Sequence, residues 1–184
     1  MQQILDLIKQ DPIRLAVLEQ VRRLDLPQCY VAAGFVRNLV WDHLHNKPVA
    51  TSLNDIDVVY FDDRESNPNA YLDYQHQLST VMPQLEWQVR NQALMHQRNG
   101  DEPYTSTLHA MSFWPEKETA VGIRKRAENE FECISAFGFE TLLAGQITHN
   151  PKRNKSTFLQ RIDEKRWLMH WPQLKVIKSN SSEN

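Results

Sequence analysis

The chain has 184 residues, of which 41% are hydrophobic and 24% charged, with a formal net charge of −2. That suits one domain of ordinary size with a real core. The slight negative charge leaves no bulk field to draw in nucleic acid or an anionic membrane.

The first residues, Met1-Gln2-Gln3-Ile4-Leu5-Asp6, are acidic and amide-bearing where a signal peptide is basic. No stretch approaches the ~20 apolar residues of a membrane span. Cys29 and Cys133 lie in strand-like apolar runs, outside any Cys-x-x-Cys pair. They are expected to be buried free thiols of a cytoplasmic protein, with no structural zinc site. Basic residues concentrate at Arg124–Arg126 and Lys152–Lys155. These are either local phosphate-binding patches or solvated loops.

In chain order, Asp11-Pro12 starts a helix, with a carboxylate cap followed by proline at the first helical position. Ile13, Val17, Leu18, Val21 and Leu24 give it one apolar face. Cys29 to Ala33 reads as a short buried strand, Gly34 as a turn, and Phe35 to Leu44 as a helix. Positions 46–54 are loop. Asp55 to Phe61 is the clearest strand, with alternation at its start and apolar residues on both faces at its end. A helix runs from about Asn69 to Val81, a strand from Leu85 to Arg90, and a short helix or turn from Gln92 to Gln97. Thr105 to Trp114 is helical at its centre. Thr119 to Arg124 and Phe131 to Ala136 form a hairpin. Phe139 to Ile147 and Thr157 to Trp171 are helices, and 179–184 is a disordered polar tail. The expected fold is α+β, a single domain over 1–178 with a small mixed sheet flanked by helices.

Gly34 stands between a strand and a helix, where the backbone approaches phosphate closely and the first helical N–H groups point outward. Arg37, on the first turn of that helix, can add a bidentate contact to a triphosphate. Asp55 and Asp57 are two apart on a strand and leave the same face, while Ile56 and Val58 point into the core. Two carboxylates roughly 6.5–7 Å apart at their Cα atoms repel, and a divalent cation between them relieves the repulsion. Magnesium, with manganese as the alternative, suits oxygen ligands and shares its shell with substrate phosphates. No Gly-x-x-x-x-Gly-Lys phosphate loop, Gly-x-Ser-x-Gly elbow or His-Glu-x-x-His helix is present. His43 and His45 lie on different sides of a helix, so they are not expected to share a metal.

Several stretches resemble a bacterial family of small predicted nucleotidyltransferases within the polymerase-beta-like superfamily. They are Ala33-Gly34-Phe35-Val36-Arg37-Asn38, Trp41, Leu53-Asn54-Asp55-Ile56-Asp57-Val58-Val59-Tyr60-Phe61-Asp62, Val89-Arg90-Asn91-Gln92-Ala93 with His96, Thr119 to Arg124, and Ala136-Phe137-Gly138-Phe139. The first also resembles the head domain of tRNA nucleotidyltransferases. The resemblance implies a metal-dependent transfer of a nucleotidyl group from a nucleoside triphosphate, with the acceptor undefined. A polynucleotide acceptor gets no support from the charge. The chain departs from the superfamily pattern: Ala33-Gly34 replaces the usual Gly-Ser or Gly-Gly, and Asn38 stands where the tRNA enzymes have Asp. A third carboxylate is expected on the next strand. Glu86 is the candidate, and Gln88 is the residue whose presence at that place would leave binding without an efficient base.

Further along, Asn91 and Gln92 can read a base edge or ribose, and His96 can contact phosphate; alternatively Asn91 caps a helix and His96 is a surface residue. Arg124 either completes an anion site or is a surface charge. Trp167, Leu168 and Trp171 are expected to pack in the core. An inactive nucleotide-binding or protein-interaction module with the same fold is the competing reading.

Overall fold

The computed structural model describes residues 1–178; the expected polar tail at 179–184 lies outside them. The helices are α1 (Gln2–Lys9), α2 (Pro12–Arg22), α3 (Gly34–Leu44), α4 (Ala70–Val81), α5 (Gln92–Asn99), α6 (Thr107–Met111), α7 (Glu140–Leu143), α8 (Lys155–Glu164) and α9 (Trp167–His170). The strands are β1 (Tyr30–Ala32), β2 (Asp55–Tyr60), β3 (Glu86–Asn91), β4 (Val121–Ala127), β5 (Glu130–Ser135), β6 (Gln146–Thr148) and β7 (Lys175–Ile177). This is the expected α+β arrangement.

The main sheet has the order β3-β2-β1-β4-β5. β1 runs antiparallel to β2 and β4, and β2 runs parallel to β3. Strand alternation gives the sheet two faces. Val89, Val58, Val31 and Ile123 stand side by side in register and are fully buried in the core formed with the helices. On the other face lie Gln88, Asp57, Ala32 and Gly122, next to a smaller apolar cluster of Tyr30, Ala32 and Val59 backed by Trp114 and Ile134. The acidic pair therefore sits on the thinly covered face of a central strand. Gly122 keeps that face flat, since a Cβ there would stand 3.1 Å from Cβ of Tyr30.

Helix α2 begins as its cap predicts, Asp11 accepting from the Arg14 N–H at 2.9 Å with Pro12 behind it. Its buried face is rotated from the expected one. Ile13 is 57% exposed and Arg14 is buried, because the Arg14 Nε donates to the Phe35 carbonyl at 2.9 Å and its guanidinium pairs with Asp11. α1 is a helix that no cap announces: Met1 offers no side-chain cap, and burial of Ile4 and Ile8 holds it.

The C-terminal third differs most from expectation. The helix expected over Phe139 to Ile147 stops at Leu143. Gly145 turns the chain at φ +66°, and β6 then pairs in parallel with β7, some thirty residues away. The helix expected over Thr157 to Trp171 breaks at Arg166 (φ +50°) into α8 and α9. The hairpin turn is tighter than expected, with Ala127 pairing Glu130 and Asn129 at φ +61°.

Candidate nucleotide-binding cleft

β1 enters α3 through Ala33, whose φ of +54° and ψ of −122° belong to glycine's territory. Ala33 thus occupies a backbone conformation that the usual superfamily glycine takes without cost. Its N–H donates to the Val121 carbonyl at 3.0 Å, which over-determines the strained turn. Replacing Ala33 with glycine is expected to raise the denaturant midpoint by an amount equivalent to roughly 1 kcal/mol. A fall in midpoint would mean that burial of the methyl outweighs the strain. Gly34 opens the helix, and a Cβ there would crowd the Asn38 amide at 3.3 Å and the Arg37 guanidinium at 3.5 Å. Val36 and Arg37 donate their N–H groups to the Ala33 carbonyl at 3.2 and 3.0 Å, which leaves the N–H groups of Gly34 and Phe35 as the orphan donors that a helix N-terminus offers to an anion.

Arg37 is 7% exposed. Its Nη1 donates to the Thr119 hydroxyl at 2.8 Å, and its Nε and Nη2 donate to Oδ1 of Asn38 at 3.2 and 2.9 Å. The guanidinium lies against both Trp41 and Trp167, 5.0 and 4.5 Å from the centroids of rings that themselves meet edge to face. Burial lowers its pKa to about 10, while Glu116 and Asp57 favour the charged form, so it remains a cation at neutral pH. Two of its five N–H donors stay uncommitted.

Across the opening, Asp57 is pushed up to about 6, mainly by burial; Arg37 opposes the shift and Asp55 adds to it. The more exposed Asp55 approaches Lys165 at 4.0 Å. Among the described residues neither carboxylate accepts a hydrogen bond. Both border one cleft of about 750 Å³ together with Gly34, Arg37, Asn38, the 51–54 loop and Gln88. Arg98, Arg153, Arg161 and Lys165 also border it, brought from α5, the loop before α8, α8 itself and the residue that ends it. Arg153 is forked onto Asp101 (Nη1 to Oδ1 at 2.8 Å), and Arg161 is paired with the fully buried Glu116 at 2.6 Å. Of these cations only Arg153 falls in a stretch marked by the sequence, the basic run Lys152–Lys155; the others are brought to the cleft only by the fold. Thr119, which fixes Arg37, is likewise visible only in three dimensions. Trp167 and Trp171 are buried, as their sequence reading expects, while Leu168, expected to pack with them, is 41% exposed; both tryptophans also border the cleft.

The parallel register sorts the residues of β3. Glu86 stands beside Asp55 and Gln88 beside Asp57, but the cleft is lined by Gln88 and not by Glu86. Among the described residues no group of three or more His, Cys, Asp or Glu side chains gathers to hold a metal. Asn91, Gln92 and His96 are carried to the other end of the strand pair, where Asn91 is opposite Tyr60. That is five residues from Asp55, roughly 16 Å. There Asn91 caps α5 by accepting from the Ala93 N–H at 3.0 Å, accepts from the Asp62 N–H, and donates to Asp62 and Glu65. Gln92 donates to the Arg90 carbonyl at 3.3 Å, and Nδ1 of His96 lies 2.8 Å from the Ala93 carbonyl oxygen. None of the three borders the cleft, and neither does Arg124. It lies in a separate concavity of about 430 Å³, paired with Glu132 at 2.7 Å and stacked on Tyr30.

A family described as nucleotidyltransferase matches residues 19–176. The chain belongs to the nucleotidyltransferase family. Among solved structures, one described as revealing a CCA-adding enzyme head domain is 34% identical, with a TM-score of 0.84 over 97% of this chain and 96% of the other. Two structures of a tRNA-processing enzyme are similar in fold at 18% identity and a TM-score of 0.50, covering 91% of this chain and 44–45% of theirs. None of the curated proteins matches it. This nucleotidyltransferase contains no helix long and apolar enough to cross a membrane among its described residues.

Proposed function

We propose that the chain transfers a nucleotidyl group from a nucleoside triphosphate to an acceptor hydroxyl or phosphate, releasing pyrophosphate, with Asp55 and Asp57 holding Mg²⁺ or Mn²⁺. One observation carries this reading. Two carboxylates without hydrogen-bond partners face a helix tip and a fixed guanidinium across a single cleft. The donor set fits a hard divalent cation: two carboxylates, one of them kept basic by burial, beside the neutral amide of Gln88. When bound, such an ion stabilises charge on the attacking and leaving oxygens.

The chain's own residues supply binding and orientation. The first N–H groups of α3 and the free donors of Arg37 receive phosphate oxygens. Gly34 lets the backbone come close, and Lys165 adds charge at the outer rim beside Asp55. The free thiols fit a reducing cytoplasm, burial pushing Cys29 up to about 12 and Cys133 up to about 11. Likeness to a CCA-adding enzyme head domain makes a nucleic-acid end the first acceptor to try.

Transfer from a radiolabelled nucleoside triphosphate is expected to fall at least 10³-fold in the Asp55→Asn, Asp57→Asn double variant. Unchanged turnover in that variant rules out the mechanism. A second reading, nucleotide binding without turnover, is favoured by one observation: an amide, Gln88, stands beside Asp57 where the superfamily pattern wants a carboxylate. Calorimetry with triphosphate and Mg²⁺ separates the two. Binding with no pyrophosphate released across an acceptor panel supports the second reading.

A further inference from the structure

We propose that Asp42 is a positioning residue for the acidic pair: it fixes the loop that delivers Asp55 to the cleft and ties that loop to the Trp171 wall. The inference rests on the nucleotidyltransferase reading and deepens it.

Asp42 lies near the end of α3, whose first turn carries Gly34 and Arg37, and is 7% exposed. A carboxylate so placed is costly unless its lone pairs are filled. Here they are. Oδ2 accepts from the Thr51 N–H at 2.6 Å, and Oδ1 accepts from the Thr51 hydroxyl at 2.7 Å and from Nε1 of Trp171 at 2.8 Å. Lys47 stands 3.5 Å away, donates to the Thr51 hydroxyl at 3.0 Å and lies over the Trp171 ring.

The end of α3 is already closed by backbone bonds, among them Lys47 N–H to the Asp42 carbonyl at 3.0 Å. The side chain instead joins two segments that border the cleft: the 51–54 loop, which runs directly into Asp55, and Trp171. Among the described residues the one other side-chain hydrogen bond to positions 48–54 is that of Lys47 to the same Thr51 hydroxyl, so Thr51 is where the segment is anchored. Asp55 is four residues from this anchor, at the very start of β2, where it has a register partner, Glu86, on β3 only; its carboxylate accepts no hydrogen bond, so the loop that leads into it sets how this strand end is presented. Small displacements of a binding group are expensive in turnover, and loss of a partner behind a metal ligand typically costs 10–100-fold in metal affinity.

The test uses the full chain, with Mn²⁺ titrated in the presence of a non-hydrolysable nucleoside triphosphate and transfer kinetics measured alongside. Asp42→Asn, with a far-UV spectrum like that of the wild type, is expected to need about 10-fold more Mn²⁺ for half-saturation. Its kcat should fall more than its KM for the triphosphate rises. Thr51→Val should reproduce the shift, and Thr51→Ser, which keeps the hydroxyl, should stay near wild type. A folded Asp42→Asn with unchanged Mn²⁺ half-saturation and kcat overturns the proposal, as does equal behaviour of the Val and Ser variants. If Asp42→Asn does not fold, the Thr51 pair decides alone. A wild-type chain that binds neither Mn²⁺ nor triphosphate defeats the underlying reading and this inference with it, an outcome distinct from failure of the variants.

Discussion

Asp57→Asn is expected to abolish transfer, at least 10³-fold, while making the metal-free protein more stable at pH 7. The two effects have one cause. Asp57 has an ordinary pKa of 3.8 and is raised to about 6 in the fold, chiefly by burial and further by Asp55. The folded state therefore holds the proton more tightly than the unfolded chain. The stability from the protonated form is fully present below about pH 4 and lost as pH rises through about 6. At pH 7 the wild type carries the whole cost of a buried, unpaired carboxylate, on the order of 1–3 kcal/mol. Asparagine at 57 removes it, so the variant's denaturant midpoint should exceed the wild type's at pH 7 and the advantage should vanish near pH 4. Saturating Mg²⁺ reverses the order. A ligand at 100 times its Kd adds about 2.7 kcal/mol to a protein that binds it, and only the wild type should gain. Chemical denaturation at two pH values, with and without Mg²⁺, checks all four corners. A variant less stable than wild type at pH 7 without metal would contradict the burial argument.

Arg37→Met is expected to cut kcat/KM at least 10²-fold with little change in stability. Removing a guanidinium usually destabilises a buried site, and here two indole contacts and the Thr119 hydrogen bond are lost. Each contact is worth about 0.5–2 kcal/mol. Against that stands desolvation, which lowers the group's pKa to about 10 and so opposes the charge. That difference from the ordinary value also amounts to a few kcal/mol. Methionine keeps apolar contact with Trp41 and Trp167 without a charge to desolvate, so the terms nearly cancel and the folding free energy should move by no more than about 1 kcal/mol. The loss in transfer has no such compensation, because a charge-assisted contact to phosphate disappears. Arg37→Lys keeps the charge but not the fork and should fall between. Thermal melts paired with steady-state kinetics test this. A methionine variant that is fully active would remove Arg37 from the site.

What could be read from sequence tracks the range of the forces involved. The Asp55-Ile56-Asp57-Val58 alternation announces a strand with acids on one face and core on the other, and the register bears this out. The strand–Gly34–helix turn was equally legible, although the strain falls on Ala33, which composition does not betray. The choice between Glu86 and Gln88 was not legible, since both leave the same face. Only the parallel register and the depth of the cleft separate them. Asn91, Gln92 and His96 lie close to Glu86 in sequence, but a strand moves the chain about 3.3 Å per residue, and that carries them past the cleft. The basic wall, the break at Arg166 and the β6–β7 pairing depend on contacts between segments far apart in sequence, which no local periodicity encodes.

The central claim is that the β2 acids and the α3 tip together hold a metal-bound triphosphate. Crystals soaked with a non-hydrolysable nucleoside triphosphate and Mn²⁺ test it most directly. The expected density places the ion about 2.1 Å from oxygens of both Asp55 and Asp57, with phosphate oxygens at the Gly34 backbone and the Arg37 guanidinium. An ion bound elsewhere, or a nucleotide lodged outside this cleft, would contradict the account.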